Sequence, residues 1–419
     1  MLRFADIGLS RQSTNVLIWM CVLISANQLG FGAIVPVFAL YAEDFGVSQT
    51  AIGLTVAIYG LARFLVSLPA GRLSDLLGRK PTLAVGGALT CAGTIGCALA
   101  PSYEIFLVAR FVAGAGAACV MTAGQIVLAD IATPANRGRV MSIYQGVFLF
   151  SVGAGAFPGG WLAERYGLAS PFWANAVLAG AVTVLALFFV PETRGLRPGA
   201  PGTAVAPAVA LRFTEQLRVV GRQPGFSLIC LVSFAAFFAR TGGLFSVMPL
   251  IAEDEMGLRP DQIGIGLGMI SIMGLLLVYP SGALVDRFGR KSVIVPATLL
   301  TGIGILGYGV ATTFAGFMVC SLVWSAASGV SGAAPAAYAA DVAPTNMMAS
   351  TMGLYRALAD AGYVVGPLAL GIVADFASPN AALAVTSVLL IVSALLFAFR
   401  APETLTRRIA PPLPAPGND

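Results

Sequence analysis

The sequence predicts an all-α membrane protein with twelve transmembrane helices arranged as two pseudo-symmetric six-helix bundles. Three observations predict it. Hydrophobic residues make up 58% of the chain and charged residues only 10%, with a mean hydropathy of +0.87. A soluble domain carries roughly 25% charged residues, so this chain cannot cover a water-facing surface. Its apolar runs are continuous rather than alternating with period two, which favours helices over a barrel. Finally, the decapeptide Gly71–Lys80, GRLSDLLGRK, returns 211 residues later at Gly282–Lys291 as GALVDRFGRK, close to half of the 419-residue chain.

Each run is long enough to cross the hydrocarbon core, which takes about 20 apolar residues. In the first half they fall near 15–41, 49–71, 81–100, 103–128, 139–162 and 170–190. In the second half they fall near 225–251, 261–283, 292–311, 315–339, 350–373 and 381–399. The domain boundaries follow: a bundle over 1–190, a linker over 191–224, a second bundle over 225–400 and a tail over 401–419. The linker is rich in Pro, Gly, Ala and Arg and reads as flexible, although LRFTEQLRVV within it has the pattern of a short surface helix. The first run has no small-residue cleavage site behind it and is read as a retained span.

Basic residues fix the orientation. With both termini in the cytoplasm, 18 of the 24 Lys and Arg residues lie on cytoplasmic segments, and only Arg165 and Arg259 lie on the opposite loops. This is the positive-inside pattern, and it accounts for the net charge of +5 without nucleic acid as a partner. The six cysteines all sit in apolar runs without ligand spacing, and the chain has no histidine. No metal site, cofactor or catalytic constellation is expected, and no phosphate-binding loop of the G-x-x-x-x-G-K-[ST] kind occurs. The chain is expected to be a monomer in a cytoplasmic membrane, with the lipid bilayer and a small molecule as its partners.

The 211-residue shift pairs far more than the decapeptide. Ile52 and Gly53 meet Ile263 and Gly264, Pro69 meets Pro280, Asp130 meets Asp341, and Pro191-Glu192-Thr193 meets Pro402-Glu403-Thr404. An ungapped register over this length marks two parallel repeats. Twelve spans in two halves, with G-x-L-x-D-x-x-G-R-K after spans two and eight, resemble the major facilitator superfamily, and most nearly its twelve-span drug:proton antiporters. The resemblance implies alternating access by two rocking bundles around a site near the bilayer midplane, with protons as the coupling ion.

The candidate residues fall into four groups. Gly71, Asp75, Gly78, Arg79 and Lys80, with their copies Gly282, Asp286, Gly289, Arg290 and Lys291, form the expected gate. The glycines allow close approach and a turn, and Asp75 could cap a neighbouring helix or pair across the halves. Arg63, Arg110, Arg240, Arg356 and Asp360 are ionisable groups inside spans, where burial is expensive enough to make function the default reading. Arg110, in LVARFVAGAGAA, matches the family's fourth-span arginine, to which the resemblance assigns a part in proton coupling; the alternative is a bond to a backbone carbonyl that fixes packing. Arg356 and Asp360 share one helical face and read as a buried pair, with Asp360 the only carboxylate well inside a span and hence the candidate proton carrier.

Asn27, Gln28, Gln125, Trp324, Tyr355 and Tyr363 are candidate substrate contacts or packing residues. The glycine motif of the antiporters' fifth span is partly kept: Gly155, Gly159 and Gly160 are present, proline is displaced to Pro158, and serine or alanine stands at 142, 151 and 156. The repeat copy in span eleven, with Gly362, Gly366 and Pro367, is fuller. Proton-coupled export of drug-like or amphipathic molecules is the expected activity. A proton-coupled importer of a small organic anion or metabolite, or a membrane receptor that senses without transporting, would keep the same fold.

Overall fold

A computed structural model of the protein describes residues 9–132, 136–193, 218–332, 334–344 and 348–404. The twelve helices run in chain order. In the first half they are α1 (Arg11–Ile34, continued by a short helix Phe38–Glu43), α2 (Gln49–Leu77), α3 (Arg79–Ala98), α4 (Tyr103–Ile131), α5 (Arg137–Tyr166) and α6 (Ser170–Phe188). In the second half they are α7 (Phe226–Asp254), α8 (Pro260–Phe288), α9 (Arg290–Tyr308), α10 (Phe314–Asp341), α11 (Met348–Phe376) and α12 (Pro379–Arg400). Eleven are long and apolar enough to cross a membrane over their described residues, and α8, at 29 residues, completes the set. Most of the expected linker and tail, residues 194–217 and 405–419, lie outside the described residues.

Local chemistry sets the helix starts. Ser10, Ser48 and Ser378 accept the free amides of Ser13, Ala51 and Ala381 at the N-termini of α1, α2 and α12. Two boundaries differ from the sequence reading. The repeated decapeptide is not a loop: α2 runs through it to Leu77, Gly78 alone breaks the helix at φ +106°, and α3 starts at Arg79. The copy behaves identically, with Gly289 at φ +97° between α8 and α9. Only glycine takes this conformation without strain, and a Cβ at either position would also land on a glutamate carboxylate.

The second difference is in α7. Residues Ala239–Val247 form a π-helical stretch between two α-helical pieces, containing Arg240, Thr241, Gly242 and Gly243. Such wide turns are rare and cluster at functional sites.

The halves, α1–α6 and α7–α12, touch along α2–α11 and α5–α8. These contacts occupy the face opposite the repeated motif, called here the outer face. There the Asp375 carboxylate of α11 accepts hydrogen bonds from the amides of Gln49 (2.7 Å) and Thr50 (2.8 Å) and from the Thr50 hydroxyl. Gly53 lies on the carbonyl of Pro367, and Gly160 on that of Pro260, so backbones meet directly across the divide. Within each half, Gly155 and Gly159 pack on α1, while Gly362 and Gly366 pack on α7.

The contact then fades toward the motif face. On α8, a Cβ added at Gly268 would still lie 3.5 Å from the Gly153 carbonyl, but one added at Gly274 would meet nothing within 4 Å. Leu76 and Leu276 are 73% and 64% exposed. The molecule is closed at its outer face and open toward the motif.

Candidate functional site: a mid-depth cluster and a repeated charge cluster

The motif face carries two related clusters. In the first half, Arg79 is buried at the start of α3, and its Nε lies 2.9 Å from Asp130 of α4. Its Nη1 reaches Asp75 at 3.0 Å and the Ser74 carbonyl at 2.9 Å. Glu192 accepts the amides of Arg79 (3.0 Å) and Lys80 (3.1 Å), which satisfies two orphan donors of α3 and sets a negative charge at its positive end. Thr193 donates to Asp130 at 3.2 Å.

The second half repeats this arrangement. Arg290 pairs with Asp341 at 3.0 Å, Glu403 accepts the amides of Arg290 (3.0 Å) and Lys291 (3.1 Å), and Thr404 donates to Asp341 at 2.9 Å. Lys291 also reaches the Ala401 carbonyl at 2.7 Å. Gly282 and Asp286 stand on the last two turns of α8.

Three expectations change here. Asp75 neither caps a neighbouring helix nor bridges the halves; it pairs within its own half, and its side chain is 71% exposed. The cap on α3 comes instead from Glu192. Asp360 is not the only carboxylate inside a span, because α4 extends to Ile131 and takes Asp130 with it, fully buried. The signal for Glu192, Asp130 and their copies was present in the 211-residue register, which pairs all of them, but their partners lie on other helices.

At mid-depth, side chains from both halves converge. Tyr59 and Arg63 stand one turn apart on α2, and Tyr59 stacks on Phe31 of α1 with ring centres 5.4 Å apart. The buried Arg110 guanidinium lies 4.8 Å from the Tyr59 ring centre, and its Nε donates to the Thr55 carbonyl at 3.2 Å. The Arg63 guanidinium lies 5.5 Å from the ring centre of Tyr363, on α11 of the other half. Thr241, beside Arg240 in the π-helical stretch, donates to the Tyr363 carbonyl at 3.1 Å. Tyr363 is therefore the hub between the halves.

Arg356 and Asp360 do form an ion pair, at 3.2 Å, but their side chains are 55% and 33% exposed. The pair is accessible and not sealed in the core. Arg356 also lies 5.6 Å from the Phe237 ring centre. Tyr355 accepts a 2.8 Å hydrogen bond from Ser233.

The remaining candidates are dispersed. The Asn27 amide donates to Gln28 at 2.8 Å, both buried in the first bundle. Asn27 lines a small enclosed cavity with Tyr59, Thr90, Thr94, Arg110 and Asn175. That cavity has room for about one water, and the buried carbonyl oxygens of Asn27 and Asn175 lack protein partners there. Gln125 is exposed on α4. Trp324 is 2% exposed in the core of the second bundle against Gly304 of α9, so in this state no ligand reaches it. Pro158 lies inside α5 and Pro367 inside α11 without interrupting either helix.

Two bundles joined by a parallel repeat, closed at one face around a mid-depth cluster, are the architecture of a rocking transporter. The sequence model of the Major Facilitator Superfamily matches residues 20–259 and 229–415. The chain belongs to this superfamily and is a multi-pass membrane transporter, not an enzyme.

Among its relatives is an uncharacterized MFS-type transporter of Methanocaldococcus jannaschii, 26% identical over 363 residues, covering 85% of this chain and 90% of the relative. The class C tetracycline resistance protein of Escherichia coli is 27% identical over 328 residues, covering 76% and 79%. Among solved structures, a bacterial homologue of the human lysosomal transporter Spinster, in an inward-facing, unoccupied conformation, superposes with a TM-score of 0.74. It is 16% identical, with 93% of this chain and 97% of that one covered, and the likeness shows the fold.

Proposed function

We propose that this superfamily member exports amphipathic small organic molecules across a cytoplasmic membrane in exchange for protons, as a monomer with both termini inside. The observation that carries the reading is the accessible Arg356–Asp360 pair at mid-depth, where Arg356 also lies against the Phe237 ring. A carboxylate that can trade an arginine for a proton changes the local charge, which is what coupling to a proton gradient requires. Export is supported by likeness to relatives named for drug resistance, including the tetracycline resistance protein and, at 25% identity, multidrug resistance protein 2 of Bacillus subtilis.

On this reading the motif face is cytoplasmic, as the basic residues require, and the structure is the inward-open state. The two bundles span 1–190 and 225–400, with 191–224 as the linker and 401–419 as the tail. The clusters around Arg79 and Arg290 hold the cytoplasmic ends of α2–α4 and α8–α10 as rigid blocks. Asp75, exposed here, would meet the second half when the cytoplasmic face closes. Arg110, behind Tyr59, tunes the proton-carrying group through the field it places on the cavity.

The test is Asp360→Asn in proteoliposomes, with a hydrophobic fluorescent dye and an imposed proton gradient. Gradient-driven dye movement should stop, while downhill exchange of dye continues. Unchanged gradient-driven accumulation would remove Asp360 from the mechanism.

A further inference from the structure

The charges at mid-depth do not balance. Four arginines, Arg63, Arg110, Arg240 and Arg356, stand there with one carboxylate, Asp360, and Arg356 already pairs with it at 3.2 Å. Among the described residues no carboxylate lies within ion-pair distance of Arg63, Arg110 or Arg240. Arginine does not shed its proton in a protein, so these charges cannot be neutralised by titration. Arg110 is compensated in part by the Thr55 carbonyl and the Tyr59 face, and Arg63 by the Tyr363 face. Arg240 has neither, and it is half-buried in the centre of a membrane helix.

Such a cation is retained at a cost unless something negative visits it. We propose that the central site takes an organic anion, an apolar or aromatic body carrying a carboxylate or sulfonate group, with Arg63 and Arg240 holding that group from opposite halves. This rests on the transporter reading above and adds the charge of the cargo to it.

The placement supports the assignment in two ways. Arg240 belongs to the π-helical stretch, where the wider turn moves its backbone off the regular helical path. Thr241 ties that turn to the Tyr363 carbonyl, and the Tyr363 ring is where Arg63 arrives from α2. An anion held by Arg63 would sit at the hub between the bundles, beside the turn that carries Arg240. Phe237, beside Arg356, offers a face for the apolar body. The same surplus repels a cation, so selectivity would come from rejection as well as attraction.

The experiment uses the purified full-length chain and three probes of one shape: 1-naphthoate, the neutral 1-naphthamide and the cationic 1-naphthylmethylammonium. Chloride and inorganic phosphate are added as small-anion controls, and binding is read by calorimetry. Naphthoate should bind about tenfold or more tighter than the amide, the scale of one charge-assisted hydrogen bond, and the ammonium should not compete. Arg240→Gln and Arg63→Gln should each erase that preference, and Arg240→Lys should keep part of it.

Equal binding of naphthoate and amide in the wild type, no binding of either, a preference surviving in both glutamine variants, or a response to chloride or phosphate alone would each overturn the proposal. Should one variant fail to fold, the other still decides. The exporter reading fails separately: naphthoate bound with the expected preference but not moved by a proton gradient would sink that reading alone. Ammonium moved as fast as naphthoate would sink only the anion assignment.

Discussion

Asp375 gives the sharpest test of how the outer face is held shut. Its carboxylate on α11 takes the first two amides of α2 and the Thr50 hydroxyl, across the boundary between halves. Bonds from a charged acceptor are worth about 1.5–3 kcal/mol when buried, but Asp375 is exposed, so the scale of an N-cap, ~0.5–2 kcal/mol, is the better guide. Replacing Asp375 with Ala removes all of these bonds in the outer-closed state and none in a state where the outer ends have parted. The outer-open population should therefore rise by about 2–30-fold, the factor for ~0.5–2 kcal/mol.

The α2 helix keeps its own cap, because Ser48 still accepts the Ala51 amide at 3.3 Å, so thermal stability in detergent should fall far less than the gate shifts. Spin labels at Asp44→Cys and Ala377→Cys, on a background lacking the six native cysteines, would report the outer distance by electron-electron resonance. An outer-open fraction that stays the same or shrinks in Asp375→Ala would refute the latch.

Two further predictions concern charges at the two faces. The related pairs Arg79–Asp130 and Arg290–Asp341 differ in burial, with side chains 6% and 2% exposed in the first and 18% and 33% in the second. Asp130→Asn should cost about 1–3 kcal/mol, because a buried guanidinium keeps Asp75 but loses its buried carboxylate, and Asp341→Asn only about 0–1 kcal/mol. Equal drops in melting temperature in detergent would contradict the difference in burial. At the outer face, burial and the neighbouring Asp254, Glu253 and Asp44 hold the Glu43 carboxyl above the usual carboxylate range. A carboxyl raised in the outer-closed state favours that state while protonated, and the gain is lost as pH rises through its shifted value. Acidifying the outer side should therefore enrich the outer-closed distance in a spin-label pair that keeps Asp44, and Glu43→Gln should flatten that response.

Much of the architecture could be read before any coordinates. The length of each apolar run, the clustering of Arg and Lys at alternate ends and the 211-residue register are local or one-dimensional properties, and each has a direct physical consequence in a bilayer. Gly78 and Gly289 were legible as turn residues for the same reason, since the left-handed conformation they adopt is a property of glycine itself. The extension of α2 and α8 through the motif was not legible, because charged residues that end an apolar run need not end a helix. Asp360 was recognised, but its exposure was not, since that depends on which face of the molecule is open.

The partners of the buried charges depended on the tertiary structure as well. Glu192 caps a helix that begins 113 residues earlier, and Trp324 proved to be core, not cavity. The sequence by itself determined twelve helices, two repeated halves, membrane embedding and a family of rocking transporters, because hydrophobic length and repetition act residue by residue. Only the tertiary structure decided that the outer face is closed, that Tyr363 joins the halves, and that Arg63 reaches the Tyr363 ring with no carboxylate in ion-pair distance among the described residues. Those outcomes rest on bonds such as Gln49 to Asp375, between residues 326 positions apart, whose pairing is set by how whole helices pack rather than by what any stretch prefers alone.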